Sequence, residues 1–260
     1  MLMVLDVGNT QIFGGVFLKD QLQLRFRKTS KVPCSSDEYG LFLRQVLREN
    51  SVDPVQVKHI AISSVVPDVN YSISSACIKY FNVRPLILQA GLKTGLKIKT
   101  VNPQEVGSDL IAGALAAVHA YPNRPILVVD FGTANTFSVV NAQREFLGAS
   151  IVPGLRLAME SLQQGTAKLP TVALKTPDKV FGRTTAEAIQ SGLYYQAVGM
   201  VKEVIVQLKQ TEFPGESLMV IGTGGLAGLL QQAGVFDHYD PDLILKGLKI
   251  VFELNPEGAA

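Results

Sequence analysis

The sequence predicts an α/β protein made of two similar domains. Short apolar strands alternate with helical segments along all 260 residues, and 47% hydrophobic residues are enough to bury a sizeable core. A strand–turn–strand unit also occurs twice, as LDVGNTQIFGGVF from Leu5 and as VDFGTANTFSVVN from Val129. In this match Asp6 aligns with Asp130, and a recurring unit of this kind indicates duplication.

The match continues beyond the two aspartates. Gly8 aligns with Gly132, Phe13 with Phe137, and Val16 with Val140. Chance similarity between two short turns is the alternative, but the order of the elements around them favours duplicated domains. We place the first domain at residues 1–120 with the first hairpin, and the second at residues 121–260 with the second hairpin.

The first half is predicted to contain strands at residues 2–5, 11–18, 22–29 and 59–66, with helices at 37–48, 71–81 and 104–121. Residues 19–21 form the turn between the second and third strands. Ser36 is the predicted N-cap of the first helix, since serine accepts a hydrogen bond from the first helical turn. Pro67 ends the fourth strand because it lacks a backbone donor.

The second half is predicted to contain strands at residues 126–129, 137–140 and 218–221, with helices from 155, at 185–209 and at 242–254. Residues 217–236 carry no charge and are long enough to cross a membrane. Five glycines and two glutamines interrupt them, so they predict a glycine-rich loop and a buried helix instead. We expect no membrane partner.

Composition excludes other classes of function. The net charge is only +2, and the sequence contains no basic stripe with interleaved aromatic residues. We therefore expect no nucleic-acid partner. The cysteines, Cys34 and Cys77, form no CxxC pair, which fits a reduced compartment and no zinc site. No basic segment precedes the first apolar run, as a signal peptide would require. These features predict a cytoplasmic protein.

The triplet Asp130-Phe131-Gly132 resembles the magnesium-binding motif of protein kinases when taken alone. Such kinases also need an upstream His-Arg-Asp catalytic loop, and none occurs in this sequence. A GxxxxGK[ST] phosphate loop is absent as well. The triplet is therefore interpreted as the beginning of a hairpin.

Hairpins of this type have a chemical use. Glycine lets the backbone approach a ligand, and successive N–H groups in a tight turn bind anions. Hydroxyls of Thr10 and Thr133 add donors, while the aspartates suit a cation beside phosphates. A third glycine loop, GTGGLA at residues 222–227, follows an apolar strand and favours a polar ligand. We expect the two hairpins to face a cleft between the domains that holds a nucleotide.

These motifs together resemble the superfamily of acetate and sugar kinases, Hsp70 and actin. Within it the chain resembles the type III pantothenate kinases, which include Bvg accessory factor-like proteins. The resemblance covers nearly the whole chain, through DVGNT at Asp6, SSVVP at Ser63, NPQEVGSD at Asn102, DFGTANT at Asp130, VPG at Val152, GRTTAEAIQSGLYY at Gly182 and TGG at Thr223. It implies two ribonuclease H-like domains in an actin-like ATPase fold.

The resemblance also implies an activity, which is phosphorylation of pantothenate by ATP in the first step of coenzyme A synthesis. It implies Mg²⁺ with the ATP, a monovalent cation (K⁺ or NH₄⁺), and a cytoplasmic homodimer. Asp109 is implied as the general base and Asp130 as the cation ligand. The implied ATP residues are Asp6, Val7, Gly8, Asn9, Thr10, Gln11, Ile12, Phe13 and Thr133. The implied substrate residues are Thr100, Gly107, Ser108, Asp109, Leu110 and Thr185.

Two positions depart from the family pattern. Family members usually carry a basic residue where this chain has Leu110, and often an aromatic residue where it has Thr100. An arginine could pair with the pantothenate carboxylate through two charge-assisted hydrogen bonds, and leucine cannot. Two alternatives therefore stay open: a non-catalytic regulatory member like the Bvg accessory factor, and a kinase for another small hydroxyl compound.

One helical segment predicts the assembly. Residues 188–201 carry no charge over nearly four turns, whereas a surface helix normally shows a polar face. Gly192 and Gly199 lie seven residues apart on one face, where another backbone could approach. A helix buried in its own domain is the alternative. With the dimeric family, this pattern predicts a homodimer through this helix.

Overall fold

The computed structural model describes residues 1–30, 32 and 34–256. It divides into two compact units, considered separately below. Unit 1 comprises Met1–Gly95, Val101–Ala116 and the chain from Leu243 onward, and unit 2 comprises Leu96–Thr100 and Ala117–Asp242. The predicted division at residue 120 stays a prediction. In the structure the last helix groups with unit 1.

The chain forms eleven strands and six α-helices over the described residues. The strands are β1 (Leu2–Val7), β2 (Gln11–Leu18), β3 (Gln21–Thr29), β4 (His59–Ser64), β5 (Leu86–Ile87), β6 (Lys97–Ile98), β7 (Ile126–Phe131), β8 (Ala134–Val140), β9 (Glu145–Pro153), β10 (Met219–Thr223) and β11 (His238–Tyr239). The helices are α1 (Ser36–Glu49), α2 (Pro67–Phe81), α3 (Ser108–Ala120), α4 (Leu155–Gly165), α5 (Thr185–Thr211) and α6 (Leu243–Leu254). The predicted α/β class is confirmed.

The two sheets share one plan. The sheet of unit 1 has the order β3-β2-β1-β4-β5, and that of unit 2 has β9-β8-β7-β10-β11, with β6 added beside β9. In unit 1, β1, β2 and β3 pair in antiparallel fashion, and β4 and β5 are parallel to β1. In unit 2, β7, β8 and β9 pair in antiparallel fashion, and β10 and β11 are parallel to β7. This common order supports duplication more strongly than the sequence match did.

The register corrects one part of that match. Asp6 pairs with Phe13 across the first hairpin, whereas Asp130 pairs with Thr136 across the second. The second turn is therefore one residue shorter than the first. Phe13 is therefore equivalent to Thr136, and Val16 is equivalent to Val139, so the ungapped alignments of Phe13 with Phe137 and of Val16 with Val140 were wrong.

Several predicted boundaries also change. The N-cap of α1 is Ser35, which forms a capping box with Glu38, so the prediction of Ser36 was wrong by one residue. The predicted helix at residues 104–121 consists of a short 3₁₀ turn, Pro103–Glu105, followed by α3. The helix predicted after the glycine loop is a 3₁₀ helix, Ala227–Ala233. Strands β5, β6, β9 and β11 were not predicted.

Helices cover the sheet of unit 1 on both faces. One face of β1, with Met3, Leu5 and Val7, packs in the same core as α1 and α2. Helix α6 lies on the other face, where Leu245 meets the backbone of Gly15. In unit 2, α4 and α5 join the core of β7 and β8. No helix in the described part of the chain is long and apolar enough to cross a membrane.

Candidate active site

The loop of the first hairpin is held in place by the end of β3. The hydroxyl of Ser30 donates to the carbonyl of Gly8 at 2.5 Å, and the amide of Ser30 donates to the carbonyl of Thr10 at 3.1 Å. The amide of Gly8 donates to the carbonyl of Gln11 within the loop. These bonds hold residues 8–11, the turn of the predicted phosphate loop Asp6–Phe13, in place. Ser30 was missed by sequence reasoning because it lies outside the repeated motif.

The hairpin stem carries Asp6 and Phe13 side by side. They are Cα partners on β1 and β2, so their side chains share a face of the sheet. The guanidinium of Arg27 lies 4.1 Å from the centre of the Phe13 ring, close enough for a cation–π contact. An exposed positive charge on β3 therefore lies beside the hairpin that is expected to bind phosphates. Arg27 was also missed, because only its β3 pairing brings it to this position.

The first turn of α3 presents Asp109. A Cβ added to Gly107 would lie 2.5 Å from Asp109 Oδ1, so the carboxylate occupies space that any other residue at 107 would fill. The amide of Leu110 donates to Asp109 Oδ1 at 2.8 Å. Two other predicted substrate residues, Gly107 and Leu110, therefore lie against the carboxylate oxygen of Asp109.

Burial raises the pKa of the Asp109 carboxyl, and the hydrogen bond from the amide of Leu110 opposes the shift without cancelling it. A helix N-terminus would normally favour the ionised form, so desolvation is the dominant influence here. A carboxylate with a raised pKa accepts a proton more readily at neutral pH. Perturbed groups of this kind concentrate at functional sites.

The neighbouring Ser108 is tied to the end of β4. Its hydroxyl lies 2.9 Å from that of Ser63, accepts from the amide of Ser64 at 3.1 Å, and lies 3.2 Å from the carbonyl of Ser64. Ser63 is fully buried and is the Cα partner of Asp6. The structure thus brings Asp6, the first phosphate loop and Asp109 together within unit 1.

In unit 2 the glycine loop packs closely on Asp130. Gly224 has a φ of +89°, and a Cβ there would lie 2.1 Å from Asp130 Oδ1 and 2.7 Å from the backbone of Phe131. The amide of Leu226 donates to the carbonyl of Phe131 at 3.2 Å. Only glycine suits this conformation and this approach. The second hairpin and the third glycine motif therefore form one surface.

Thr133 stands at the tip of the second hairpin. Its carbonyl accepts from the amide of Gly154, at the start of α4, at 3.1 Å. This bond joins the DFGTANT and VPG motifs. Thr185 is the first residue of α5 and is exposed, with Thr184 as the N-cap that accepts from the amide of Glu187.

The remaining predicted substrate residues are divided between the units. Leu110 is half-buried in unit 1, next to Asp109. Thr100 lies in unit 2 just after β6, and its buried hydroxyl oxygen has no hydrogen-bond partner among the described residues. Thr185 lines a cavity of about 460 Å³ between α4 and α5, together with Leu162, Leu169, Ala188, Ile189, Gly192, Leu193 and Gln196.

The residues around Asp130 fit a hard cation. Asp130 and Thr223 are Cα partners on β7 and β10, so a carboxylate and a buried hydroxyl lie on one face of the sheet. Alkali and alkaline-earth ions prefer such oxygen ligands. Within the described part of the chain, no group of three or more histidines, cysteines and acidic residues could hold a metal ion. A cation here would need further ligands from the backbone, nucleotide or water.

Solved structures share this fold across the whole chain. A ROK hexokinase from Thermus thermophilus matches with a TM-score of 0.50 at 15% identity, covering 96% of this chain and 97% of its own. A protein from Campylobacter jejuni assigned to the Baf family of transcriptional activators matches with a TM-score of 0.57 at 20% identity, covering 98% of each chain. The expected fold of duplicated ribonuclease H-like domains is confirmed.

Sequence comparison identifies the family. A family model for type III pantothenate kinase matches residues 2–207. The type III pantothenate kinase of Legionella pneumophila (strain Corby) is 50% identical over 255 residues, which cover 98% of this chain and 99% of that protein. The type III pantothenate kinase of Elusimicrobium minutum is 46% identical over the same share of each chain. This chain therefore belongs to the type III pantothenate kinase family.

Proposed function

We propose that this protein transfers the γ-phosphoryl group of ATP to the hydroxyl of pantothenate, which is the first step of coenzyme A synthesis. The observation that carries the proposal is the full-length identity to named pantothenate kinases, combined with a half-buried carboxylate, Asp109, whose pKa is raised by desolvation at the expected position of the base. Enzymes of this family use ATP, and the first hairpin and Asp109 lie in the same unit.

The chemistry assigned to the chain is simple. The hydroxyl oxygen of pantothenate attacks the γ-phosphorus, the bond from that phosphorus to the bridging oxygen breaks, and ADP leaves. Asp109 accepts the hydroxyl proton, a contribution typically of about 10²–10⁴-fold. The rest of the rate enhancement comes from positioning and charge neutralisation.

The ATP residues proposed are those of the first hairpin, residues 6–13, together with Thr133. Amides of the loop, held by Ser30, and the guanidinium of Arg27 provide positive potential for the phosphates. Asp6 would hold Mg²⁺ or its waters, and Asp130 with Thr223 would hold K⁺ or NH₄⁺. These ions would neutralise phosphate charge.

The proposed pantothenate residues are Gly107, Asp109, Leu110, Thr100 and Thr185. The hydroxyl of Ser108, the other predicted substrate residue, is occupied by Ser63 and Ser64. Thr100 supports this role because its buried hydroxyl has no partner in the described part of the protein, and a bound substrate could provide one. Leu110 offers no charge to the pantothenate carboxylate. This departure keeps a second candidate, a kinase acting on another small hydroxyl compound.

A homodimer through α5 is part of the proposal. The helix is not covered on every side within one chain: Ala188, Gly192, Gln196 and Gly199 are exposed, and none carries a charge. A Cβ at Gly192 or Gly199 would meet nothing within 4 Å, which leaves space for a second backbone. The cavity that contains Thr185 adjoins this face.

The assay that tests the proposal identifies the phosphorylated product. Purified protein is incubated with ATP, Mg²⁺ and pantothenate, with K⁺ or with a bulky organic cation in its place. We expect 4′-phosphopantothenate and ADP in equal amounts, and only with K⁺ at full rate. Consumption of ATP with other small alcohols but not with pantothenate would favour the second candidate, and no transfer to any alcohol would favour a regulatory protein.

A further inference from the structure

The hydroxyl of Ser108 has its hydrogen-bonding capacity filled by β4. A serine hydroxyl has one donor and two acceptor positions. Ser108 Oγ accepts from the amide of Ser64, has the carbonyl of Ser64 as an acceptor for its own proton, and can accept the proton of Ser63 as well. Three partners occupy three positions, so no position is left for a substrate molecule.

Ser63 lies between Asp6 on β1 and Ser108, the residue before Asp109. Its side chain is fully buried at the end of β4, and β4 pairs in parallel with β1, placing Ser63 beside Asp6. Just beyond the strand, the amide of Val65 donates to the carbonyl of Val7 at 3.1 Å. The Ser63 hydroxyl then bonds Ser108, the residue before Asp109. A continuous path of hydrogen bonds joins β1 to the turn that carries the base.

We propose that Ser63 and Ser108 are positioning residues, which fix the Asp109 carboxylate relative to Asp6 and the first phosphate loop. The proposal rests on the proposed function, in which Asp109 is the general base, and it assigns to Ser108 a role within the fold instead of a hydroxyl contact with pantothenate. Ser63 acts through Ser108, and neither serine touches the reacting atoms.

Kinetics separate positioning from substrate contact. Misplacement of a catalytic group by about 1 Å costs about 10²-fold in rate. We expect Ser63→Ala and Ser108→Ala each to lower kcat by about 10- to 100-fold, with the KM for ATP and for pantothenate within about threefold of wild type. Ser108→Thr, which keeps the hydroxyl, should recover most of the rate. A rise in the KM for pantothenate with kcat unchanged would overturn the proposal.

A second set of variants separates positioning from general stability. Ser63→Ala should cause no further loss of turnover when Asp109 is already asparagine, because the residue acts through that carboxylate. The matched control is Ser138→Ala, which removes another buried serine hydroxyl, on β8, and should leave kcat unchanged. Equal losses in all three single variants, or a full further loss in the Asp109→Asn background, would contradict the proposal.

A measurement without turnover distinguishes failure of this inference from failure of the proposed function. Carboxyl ¹³C chemical shifts followed against pH give the pKa of Asp109 directly. Loss of either serine should loosen the turn, admit water and move the pKa of Asp109 towards that of an exposed aspartate. An unchanged pKa in both variants overturns the positioning role even if pantothenate is not the substrate. A shifted pKa in a protein that does not phosphorylate pantothenate supports positioning and rejects the function.

Discussion

The Gly107→Ala variant tests whether the missing side chain at residue 107 is needed to keep the Asp109 carboxylate in its active position. The added Cβ would lie 2.5 Å from Asp109 Oδ1, while the next nearest atoms, Asp109 Cγ and Val65 Cγ1, are both at an ordinary 3.6 Å. Because van der Waals contact begins at about 3.4 Å, the carboxylate oxygen must move by about 0.9 Å. The substitution therefore displaces one functional atom and almost nothing else.

The size of the effect follows from this displacement. A misplacement of about 1 Å costs about 10²-fold in rate, equivalent to about 2.7 kcal/mol of transition-state stabilisation. Stability should change little, because Gly107 is not among the glycines with positive φ and the displaced group is the end of a side chain. The loss of backbone freedom in the unfolded chain even favours alanine by about 0.4–1 kcal/mol.

The assay compares kcat, the affinity for ATP and the melting temperature of Gly107→Ala with those of a matched control. Gly165→Ala is suitable, since a Cβ at Gly165 would meet nothing within 4 Å. We expect both variants to bind ATP like wild type and to melt at or slightly above the wild-type temperature, and only Gly107→Ala to lose kcat. Wild-type turnover in Gly107→Ala would show that the position of the carboxylate does not limit the rate. A large fall in melting temperature would also contradict the prediction, because the defect would then be one of folding.

Three further predictions concern other residues of the candidate site and Asp109 itself. Asp109→Asn should melt at a higher temperature than wild type at pH 7, because the raised pKa of Asp109 means that the folded state disfavours the ionised carboxyl. The difference in melting temperature should shrink as the pH falls through that pKa. Equal melting temperatures at neutral pH would contradict this prediction. Gly224→Ala should weaken ATP binding measured by calorimetry, since its Cβ would collide with Asp130 Oδ1 and strain a φ of +89°, whereas unchanged affinity would show that the loop does not contact the nucleotide. Leu110→Arg should lower the KM for pantothenate by adding a cation opposite the carboxylate, and an unchanged KM would mean that another residue supplies the charge.

The repeated hairpins could be predicted from sequence because their signals are local. An apolar strand, an Asp-x-Gly turn and a second strand are consecutive in the chain, so the α/β class and both turns were predicted correctly. The register across each hairpin was not available, because the two turns differ by one residue and a gapless alignment cannot show this. The unpredicted strand β9 contains Gly148 and ends at Pro153, both uncommon inside strands.

The candidate site was only partly predictable for the same reason. Asp109 is a single acid before an apolar helix, and without the family resemblance it would be interpreted as a favourable charge at a helix start. Ser30 and Arg27 carry no local signal at all, and Ser63 was noted only as the first residue of the SSVVP motif, with no role assigned to it. Each reaches the site through strand pairing or a side-chain hydrogen bond with a residue at least 14 positions away in the sequence, and sequence periodicity does not report such contacts.

In the proposed reaction, Asp109 takes the proton from the pantothenate hydroxyl during transfer from ATP. A single-turnover experiment with radiolabelled γ-phosphate, wild-type protein and Asp109→Asn, both saturated with ATP, Mg²⁺ and K⁺, tests it most directly. We expect equal ATP binding by the two proteins, labelled 4′-phosphopantothenate from wild type, and transfer at least about 10²-fold slower in the variant. Transfer to pantothenate by Asp109→Asn at nearly the wild-type rate would contradict it.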